Sequence, residues 1–226
     1  MKRIQKHKTK AMKKIMIIIA SITCITFNSI AQENTTDFRD KLTFGLKAGL
    51  NYSNVYDSKG EEFTSGAKFG LAAGVALAIP ITKYIGIQPE VLFSQKGFNG
   101  KGKVLGSNYS FTRTTDFVDV PLLFQFKPSE FISIVAGPQV AFLIRQKDVF
   151  TNATTTIEQE KEFENDNIRK NMFCFTGGLD INLKHIVLGA RAGWDVQNNN
   201  GDGSSSTPRY KNVWYQGTIG YRFYKK

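Results

Sequence analysis

A glycine-rich stretch, GFNGKGK beginning at Gly97, comes close to the P-loop pattern that cradles phosphate groups in nucleotide-binding proteins. Gly97, Gly102 and Lys103 match that pattern. Val104, however, stands where a Ser or Thr hydroxyl would hold Mg²⁺. A P-loop must also open a helix, because the first amides of that helix converge on the phosphate. Here another strand-like segment follows, so we expect glycine turns and solvated lysines, with Lys101 and Lys103 facing lipopolysaccharide phosphates.

Few residues of the chain have the chemistry of a catalytic or metal-binding group. Beyond residue 31 there is one histidine, His185, in a short connection, and one cysteine, Cys174, with no histidine near it in sequence. A hydrolase at the rim of a barrel would need a histidine base or a similar group, and a zinc site would need several closely spaced ligands. The acidic segment 146–172 lacks the D-x-D-x-D-G spacing of a calcium loop. The sequence therefore predicts no enzyme, no catalytic or metal site and no cofactor.

Seven charged residues recur in segments where small or polar residues alternate with apolar ones. They are Lys47, Glu90, Asp119, Arg145, Asp180, Arg191 and Arg222. If these segments close a narrow barrel, the charged side chains point inward, where there is room only for side chains. Because an unpaired buried charge is costly, we expect a network of ion pairs in the barrel interior. A proton or ion path along the same residues is the alternative interpretation.

The chain has 226 residues and a net charge of +11, but its basic charge is concentrated at the N-terminus. Residues 1–31 hold seven basic residues and no acidic one, which leaves 23 basic and 19 acidic residues elsewhere. This balance gives no reason to expect a nucleic-acid partner. The same segment has a basic region, a short apolar run and the small-x-small ending Ser29-Ile30-Ala31. It therefore predicts a signal peptide cleaved after Ala31, followed by a short periplasmic segment, 32–41.

Eight later segments alternate strictly between apolar residues and small, polar or charged ones, which is the period of a strand with two unlike faces. In the first of them, Phe44, Leu46 and Leu50 alternate with Lys47 and Gly49. The eight segments are 43–53, 68–79, 85–94, 117–127, 132–145, 173–184, 186–196 and 213–224. Each is long enough to cross a bilayer at a tilt. The sequence predicts an all-β fold, an eight-stranded antiparallel up-and-down transmembrane barrel over residues 42–226.

The connections between these segments alternate in length. Short ones lie at 80–84, at 128–130 and around Lys184-His185, whereas the long polar ones are 54–67, 98–116, 146–172 and 197–212. Outer-membrane barrels have short turns on the periplasmic side and long loops outside. We therefore expect the long connections to face the cell exterior.

Aromatic residues form two belts on the apolar face. Near the outer strand ends these are Tyr52, Phe69, Phe93, Phe142, Phe173, Trp194 and Tyr215, and near the inner ends Phe44, Phe126, Tyr221 and Phe223. Such belts mark the two membrane interfaces. A soluble, lipocalin-like ligand-binding barrel is the structural alternative, and it would turn the apolar face inward. The Gly- and Ala-rich opposite face, which suits a narrow interior, favours the membrane barrel.

Three short motifs stand out within these segments: Gln88-Pro89-Glu90, Asp119-Val-Pro121-Leu-Leu and Gly137-Pro138. With the segments around them, over about residues 42–224, they resemble the PorT-family outer-membrane barrels of Bacteroidetes. The resemblance implies an integral protein in the outer membrane of a Gram-negative bacterium. The member that gave the family its name is associated with protein secretion, but most members have no assigned role, so the resemblance carries over the fold and the location and not the secretion role.

The sequence thus predicts a structural, assembly or surface-interaction barrel, for which a link to protein secretion stays open. A small porin-like pore or transporter is the alternative, although eight strands leave no aqueous channel. The expected partners are outer-membrane lipid, lipopolysaccharide and a protein bound through the long outer loops. The loop aromatics would either form that protein-binding surface or pack the loops together: Tyr56, Phe63, Tyr109, Phe111, Phe150, Phe163 and Tyr210.

Overall fold

The computed structural model of the protein describes residues 37–56, 64–104, 107–152, 156–161, 169–199 and 210–223. The predicted signal peptide, 1–31, and residues 32–36 of the predicted periplasmic segment, 32–41, lie outside these residues. Among the described residues, no helix is long and apolar enough to cross a membrane.

The described residues contain nine strands in one antiparallel sheet. They are β1 (Thr43–Tyr56), β2 (Thr64–Pro80), β3 (Ile85–Val104), β4 (Ser107–Phe126), β5 (Ile132–Asn152), β6 (Thr156–Lys161), β7 (Asn171–Leu183), β8 (Ile186–Asp195) and β9 (Lys211–Phe223). Because β1 pairs with both β2 and β9, and β4 with both β3 and β5, eight strands close into a ring. The short β6 pairs only with the upper part of β5 within the described part of the chain. The predicted eight-stranded up-and-down barrel is confirmed.

Three strands are much longer than the sequence predicted. The strands β3, β4 and β5 have 20, 20 and 21 residues, and β3 and β4 stay paired up to Val104 and Ser107. The prediction of a loop at 98–116 was therefore wrong, and that of a loop at 146–172 was wrong at its start, where β5 and β6 form a hairpin. The backbone groups of one strand satisfy those of the next, and this overrides the low strand propensity of glycine and asparagine.

The long strands have two sections. Only about 9–11 residues of a tilted strand are needed to cross the hydrocarbon core of a bilayer. We call residues 85–95, 116–126 and 132–142 the membrane-level part of β3, β4 and β5. Residues 96–104, 107–115 and 143–152, at the end of the long connections, form the outer extension.

The apolar face predicted from the alternation lies on the outside of the barrel. Phe69 and Leu71 are 65% and 59% exposed, whereas their neighbour Ala72, on the opposite face, is 2% exposed. The same holds for both aromatic belts, whose members are all exposed. An apolar outer wall is the arrangement of a barrel in lipid and contradicts the lipocalin-like alternative, which would enclose that face.

In the outer extension the two faces exchange character. Phe98 and Phe111 point inward and are buried, while their outward neighbours are Asn99 and Thr112, which hydrogen-bond to each other at 2.9 Å. This is the pattern of a sheet in water, with a polar outer face and an apolar inner one. The exchange locates the outer membrane boundary between the two sections.

Candidate functional site

Four of the seven predicted interior charges form one ion-pair network in the membrane-level part of the barrel. Lys47 Nζ lies 2.6 Å from Glu90 Oε2, and Arg191 forms two hydrogen bonds to Asp180, at 2.6 and 2.9 Å. Arg191 Nη2 also lies 3.6 Å from Glu90 Oε1, which joins the two pairs. All four side chains are nearly inaccessible to solvent. Paired and hydrogen-bonded charges are the form in which ionised groups can occupy a barrel interior.

Arg222 lines a cavity of about 50 Å³ together with Lys47 and Asp180. This cavity lies towards the end with the short turns. Arg222 donates a hydrogen bond to Asn182 Oδ1, and the neighbouring His185 donates one from Nδ1 to the Arg222 carbonyl at 2.9 Å. The structure thus brings five of the seven predicted residues to the same region and places His185 in a turn, away from any nucleophile described here.

Asp119 belongs to a second, separate cluster higher in the barrel. Its carboxylate pairs with Lys96 at 2.9 Å, and both side chains are 1% exposed. The Lys96 ammonium lies 3.7 Å from the centre of the Trp214 ring and 4.9 Å from that of Phe117. A cation over two aromatic faces and beside a carboxylate fills the barrel cross-section at this height.

The same level contains the buried thiol of Cys174. Its Sγ donates to Asp195 Oδ1 at 3.1 Å, while Asn212 donates its backbone amide to Asp195 Oδ2 at 2.9 Å. Cys174 also packs with Phe117 and Trp214 in an apolar cluster. The cysteine is therefore a buried packing residue whose thiol lies within hydrogen-bonding distance of Asp195 and, at 3.7 Å, of the Met172 carbonyl.

Arg145 was predicted to point into the barrel, and this prediction was wrong. Asp116 pairs with Arg145 while Phe117 pairs with Leu143, so Ile144 is an extra residue in β5. This β-bulge shifts the alternation by one residue, because two residues of one strand then oppose one of the other. Arg145 consequently lies on the outer wall with half of its side chain exposed.

An apolar cluster fills the outer extension. Val55, Phe98, Phe111 and Tyr210 are buried against one another, with the ring centres of Phe98 and Tyr210 5.2 Å apart. Beside them, Arg113 forms two hydrogen bonds to Asp148, at 2.8 and 2.6 Å, and one to the Tyr210 hydroxyl at 2.6 Å. The described loop aromatics Tyr109 and Phe111 therefore pack the extension together, whereas Phe63 and Phe163 lie outside the described residues.

The P-loop-like stretch forms part of β3 and opens no helix. Gly97 has a positive φ of 146°, a backbone conformation that favours glycine. A positive φ was predicted for the glycines of this stretch. Gly100 and Gly102 were predicted to form turns, but they lie within β3 and make space for aromatic rings. A Cβ on Gly100 would lie 2.1 Å from the Phe111 ring, and one on Gly102 would lie 2.5 Å from the Tyr109 ring. These glycines leave room for aromatic rings that lie flat on the strand.

At the end with the short turns, the described start of the chain contacts the barrel. Asp37 binds Arg39 and lies 3.1 Å from Lys83 in the β2–β3 turn, and the hydrogen bond from Arg39 holds the pKa of Asp37 below its usual range. Lys127 donates to the Arg39 carbonyl. Burial, followed by repulsion from Arg222 and Arg39, lowers the Lys127 pKa. Residues 37–39 thus fasten the chain to the periplasmic rim.

Lys96 and Asp116 were not predicted from the sequence as paired groups. Lys96 continues the inward alternation of Glu90, Leu92 and Ser94, but the predicted strand ended at Ser94, before the glycine-rich stretch. The inward side chain of Lys96 could have been found by continuing the period two residues past Ser94, up to the first glycine. Nothing in the period of β4 alone shows that Asp116 would bind an arginine, because that depends on the bulge in β5.

Comparison with known proteins agrees with this architecture. Residues 30–199 match the family described as outer membrane protein beta-barrel domain, which is three quarters of the chain. Taken with the closed ring and the apolar outer wall, this makes the chain an integral outer-membrane barrel of a Gram-negative bacterium. The chain belongs to this outer membrane protein beta-barrel family. No curated protein matches the sequence.

Solved structures of small outer-membrane barrels are also similar to the chain. One is the attachment invasion locus protein Ail of Yersinia pestis, with 14% identity, a TM-score of 0.46 and coverage of 80% of this chain and 99% of Ail. Another is Neisserial surface protein A, with 10% identity, a TM-score of 0.44 and coverage of 80% and 97%. OprG of Pseudomonas aeruginosa has 13% identity, a TM-score of 0.38 and coverage of 81% and 97%.

Proposed function

We propose that this protein is a non-enzymatic surface-interaction barrel that presents its outer extension to a partner outside the membrane. The observation that carries the proposal is the length of β3, β4 and β5, about twice what a membrane crossing needs. Half of each strand therefore stands above the lipid. A barrel that served only as a membrane anchor would have no use for a projecting sheet with its own packed core.

The filling of the barrel argues against the alternative of a small pore. Lys96, Asp119 and Trp214 are each at most 2% exposed and lie across the interior above the lower ion-pair network. A continuous water path would have to pass through these buried, paired groups. We assign the network of Lys47, Glu90, Asp180 and Arg191 a structural role, in which it holds the membrane-level strands together without conducting ions.

The expected partners are of two kinds. Lipopolysaccharide surrounds the base of the outer extension, and the polar outer face of the extension is available to a protein. The secretion role is supported by the sequence resemblance to PorT-family barrels alone. On that basis we propose that the protein partner belongs to a secretion assembly of the outer membrane.

Site-specific photo-cross-linking in living cells tests the protein-partner proposal. A photoreactive amino acid at Thr112, on the outward face of the extension, should give a discrete protein adduct. The matched control is Leu122 on the same strand, which is 53% exposed on the lipid-facing wall and should give lipid adducts only. Equal protein adducts at both positions, or none at Thr112, would contradict the proposal.

The pore alternative has its own test. Purified protein in planar bilayers should show no steady conductance steps. Conductance that disappears in a Lys96→Met variant would instead establish an ion path through the interior.

A further inference from the structure

The described start of the chain lies across the periplasmic mouth of the barrel. Residues 37–41, which we call the cap, form a turn in which the Lys41 amide donates to the Phe38 carbonyl at 3.2 Å. Phe38, Arg39 and Lys41 form one side of a cavity of about 20 Å³. The barrel side chains on its other side include members of β1, β2, β4, β5, β7 and β9. Because these strands lie around the ring, the cap covers the opening and does not merely pack beside it.

A larger cavity lies next to this one, further into the barrel. It is the cavity of about 50 Å³ that Arg222 lines, and it extends to Lys47 and Asp180 of the lower ion-pair network. Thr43, Ala78 and Arg222 line both cavities, so the two are direct neighbours. The interior between the mouth and the lower ion-pair network is therefore not completely filled by side chains.

The two cavities have the size and the lining that water requires. A water molecule needs about 10–15 Å³ of such space and about two to four polar partners. Gln88 and Thr218 line the larger cavity together with the charged residues. Gln125 lines the smaller one and is 2% exposed, and its Oε1 accepts no hydrogen bond within the described part of the chain. A short column of water beneath the network fits this polar space.

Contacts with the turns of the barrel hold the cap in place. Lys127, directly after β4, donates its ammonium group to the Arg39 carbonyl. The Arg39 guanidinium lies 5.4 Å from the centre of the Tyr84 ring, and Asp37 lies 3.1 Å from Lys83 in the same β2–β3 turn. Half of the Lys83 side chain is exposed. Cation–π contacts and ion pairs are weak at exposed sites, so the cap can leave the mouth without unfolding the barrel.

We propose that the cap is a releasable closure of the periplasmic mouth, and that its release opens both cavities to the periplasm as far as the lower ion-pair network. The layer formed by Lys96, Asp119 and Trp214 stays closed above that network. Release of the cap therefore hydrates the lower half of the barrel and creates no channel. This device lies at the periplasmic end and does not depend on a partner outside the membrane.

Thiol labelling of the full-length mature protein in lipid nanodiscs tests the closure. In a Cys174→Ser background, a single cysteine at Ala78, which lines both cavities, should react slowly with a water-soluble methanethiosulfonate. Adding Lys127→Met and Tyr84→Ala removes two cap contacts and should raise the rate on the order of tenfold. Ile81→Ala is the matched control, because Ile81 lies in the same turn as Tyr84 with its side chain 63% exposed. It should leave the rate unchanged.

A nitroxide attached at Asp40→Cys, an exposed position of the cap, follows the cap directly. Its electron paramagnetic resonance spectrum should show an immobilised label in the parent protein and a mobile label in the Lys127→Met/Tyr84→Ala variant. A label that is already mobile in the parent would show that the cap is not seated. An unchanged rate at Ala78 despite a mobile label would show that the cap does not close the cavities. Either result would overturn the proposal.

Two controls keep the outcome interpretable. A gel shift between unheated and boiled samples confirms that each variant forms a barrel. If the double variant lacks this shift, Tyr84→Ala alone, whose ring is 52% exposed, replaces it and should raise the labelling rate about threefold. Planar bilayers should show no conductance with either variant. Steady conductance steps that appear only when the cap contacts are removed would contradict a space closed above the network.

Discussion

The membrane-level part and the outer extension of the same strands carry opposite arrangements of polar and apolar side chains. In β3, Val91 and Phe93 face out and Glu90 faces in below the boundary, whereas above it Phe98 faces in and Asn99 faces out. In β3 and β4, the strands, their pairing and their alternation are continuous across the change. The two sections differ in the medium outside the wall. In each section the interior has the polarity opposite to that of the medium.

The difference has a simple physical cause. Lipid accepts apolar side chains at no cost, so the membrane-level wall can turn them outward and must fill its narrow interior with the remaining residues, including paired charges. Water removes that option, and the extension gains stability mainly by burying its aromatic residues against one another, with the Arg113–Asp148 pair beside them. One barrel therefore has two kinds of core, and each should respond differently to mutation.

The largest effect should follow from breaking the lower core. Glu90→Gln leaves Lys47 and Arg191 without the carboxylate that joins them, and should cost about 3–5 kcal/mol because both cations stay buried. Equilibrium urea unfolding in lipid vesicles measures this loss. Asp148→Asn in the extension is the comparison, and it should loosen only the contacts of Arg113 there. Equal global losses would mean that the two cores are not distinct.

A charge on the outer wall should distinguish the two sections almost as strongly. Leu122→Arg places a charge against the hydrocarbon core and should cost roughly 2–4 kcal/mol. Thr112→Arg, on the same face of the same strand but in the extension, should change stability by about 0.5 kcal/mol or less. Assembly into the heat-modifiable form, compared in the two variants, provides the measurement. A severe defect from Thr112→Arg would show that the lipid boundary lies higher.

A milder change tests whether the extension opens independently. Phe98→Leu removes part of a buried ring from the cluster with Phe111 and Tyr210, and should cost about 1–1.5 kcal/mol. Hydrogen exchange should accelerate in 96–104 and 107–115 and stay slow in 116–126. Faster exchange throughout β4 would show that the two sections unfold together.

The smallest expected effect concerns the periplasmic rim. The pKa of Asp37 is lowered by Arg39, so its contribution is fully present above its ordinary pKa of about 3.9 and is lost as the pH falls below that value. Proteolysis near residue 39 should therefore increase between pH 5 and acidic conditions, about pH 3. Asp37→Asn should be cleaved equally at both pH values. A wild-type chain with the same cleavage rate throughout would contradict this role.

The alternation of side chains alone determined most of the fold. It placed eight crossing strands, the two aromatic belts and the inward positions of Lys47, Glu90, Asp180 and Arg191, because a strand has a period of two and a lipid-facing barrel has two unlike faces. The short connection that contains His185 was also predicted correctly from the sequence. These features are local, and each can be inferred without knowing which strands pair.

The tertiary structure decided what depends on pairing between distant residues. The bulge in β5 exists only relative to β4, and it moved Arg145 from the predicted interior to the outer wall. Lys96 and Asp119 lie on different strands, and their contact required β3 to continue past Ser94, where the predicted strand ended. The length of the outer extension likewise depended on mutual hydrogen bonding of β3 and β4, which residues of low strand propensity could not indicate. The register of a strand and its bulges are defined relative to the paired strand. They therefore cannot be predicted from the sequence of one strand alone.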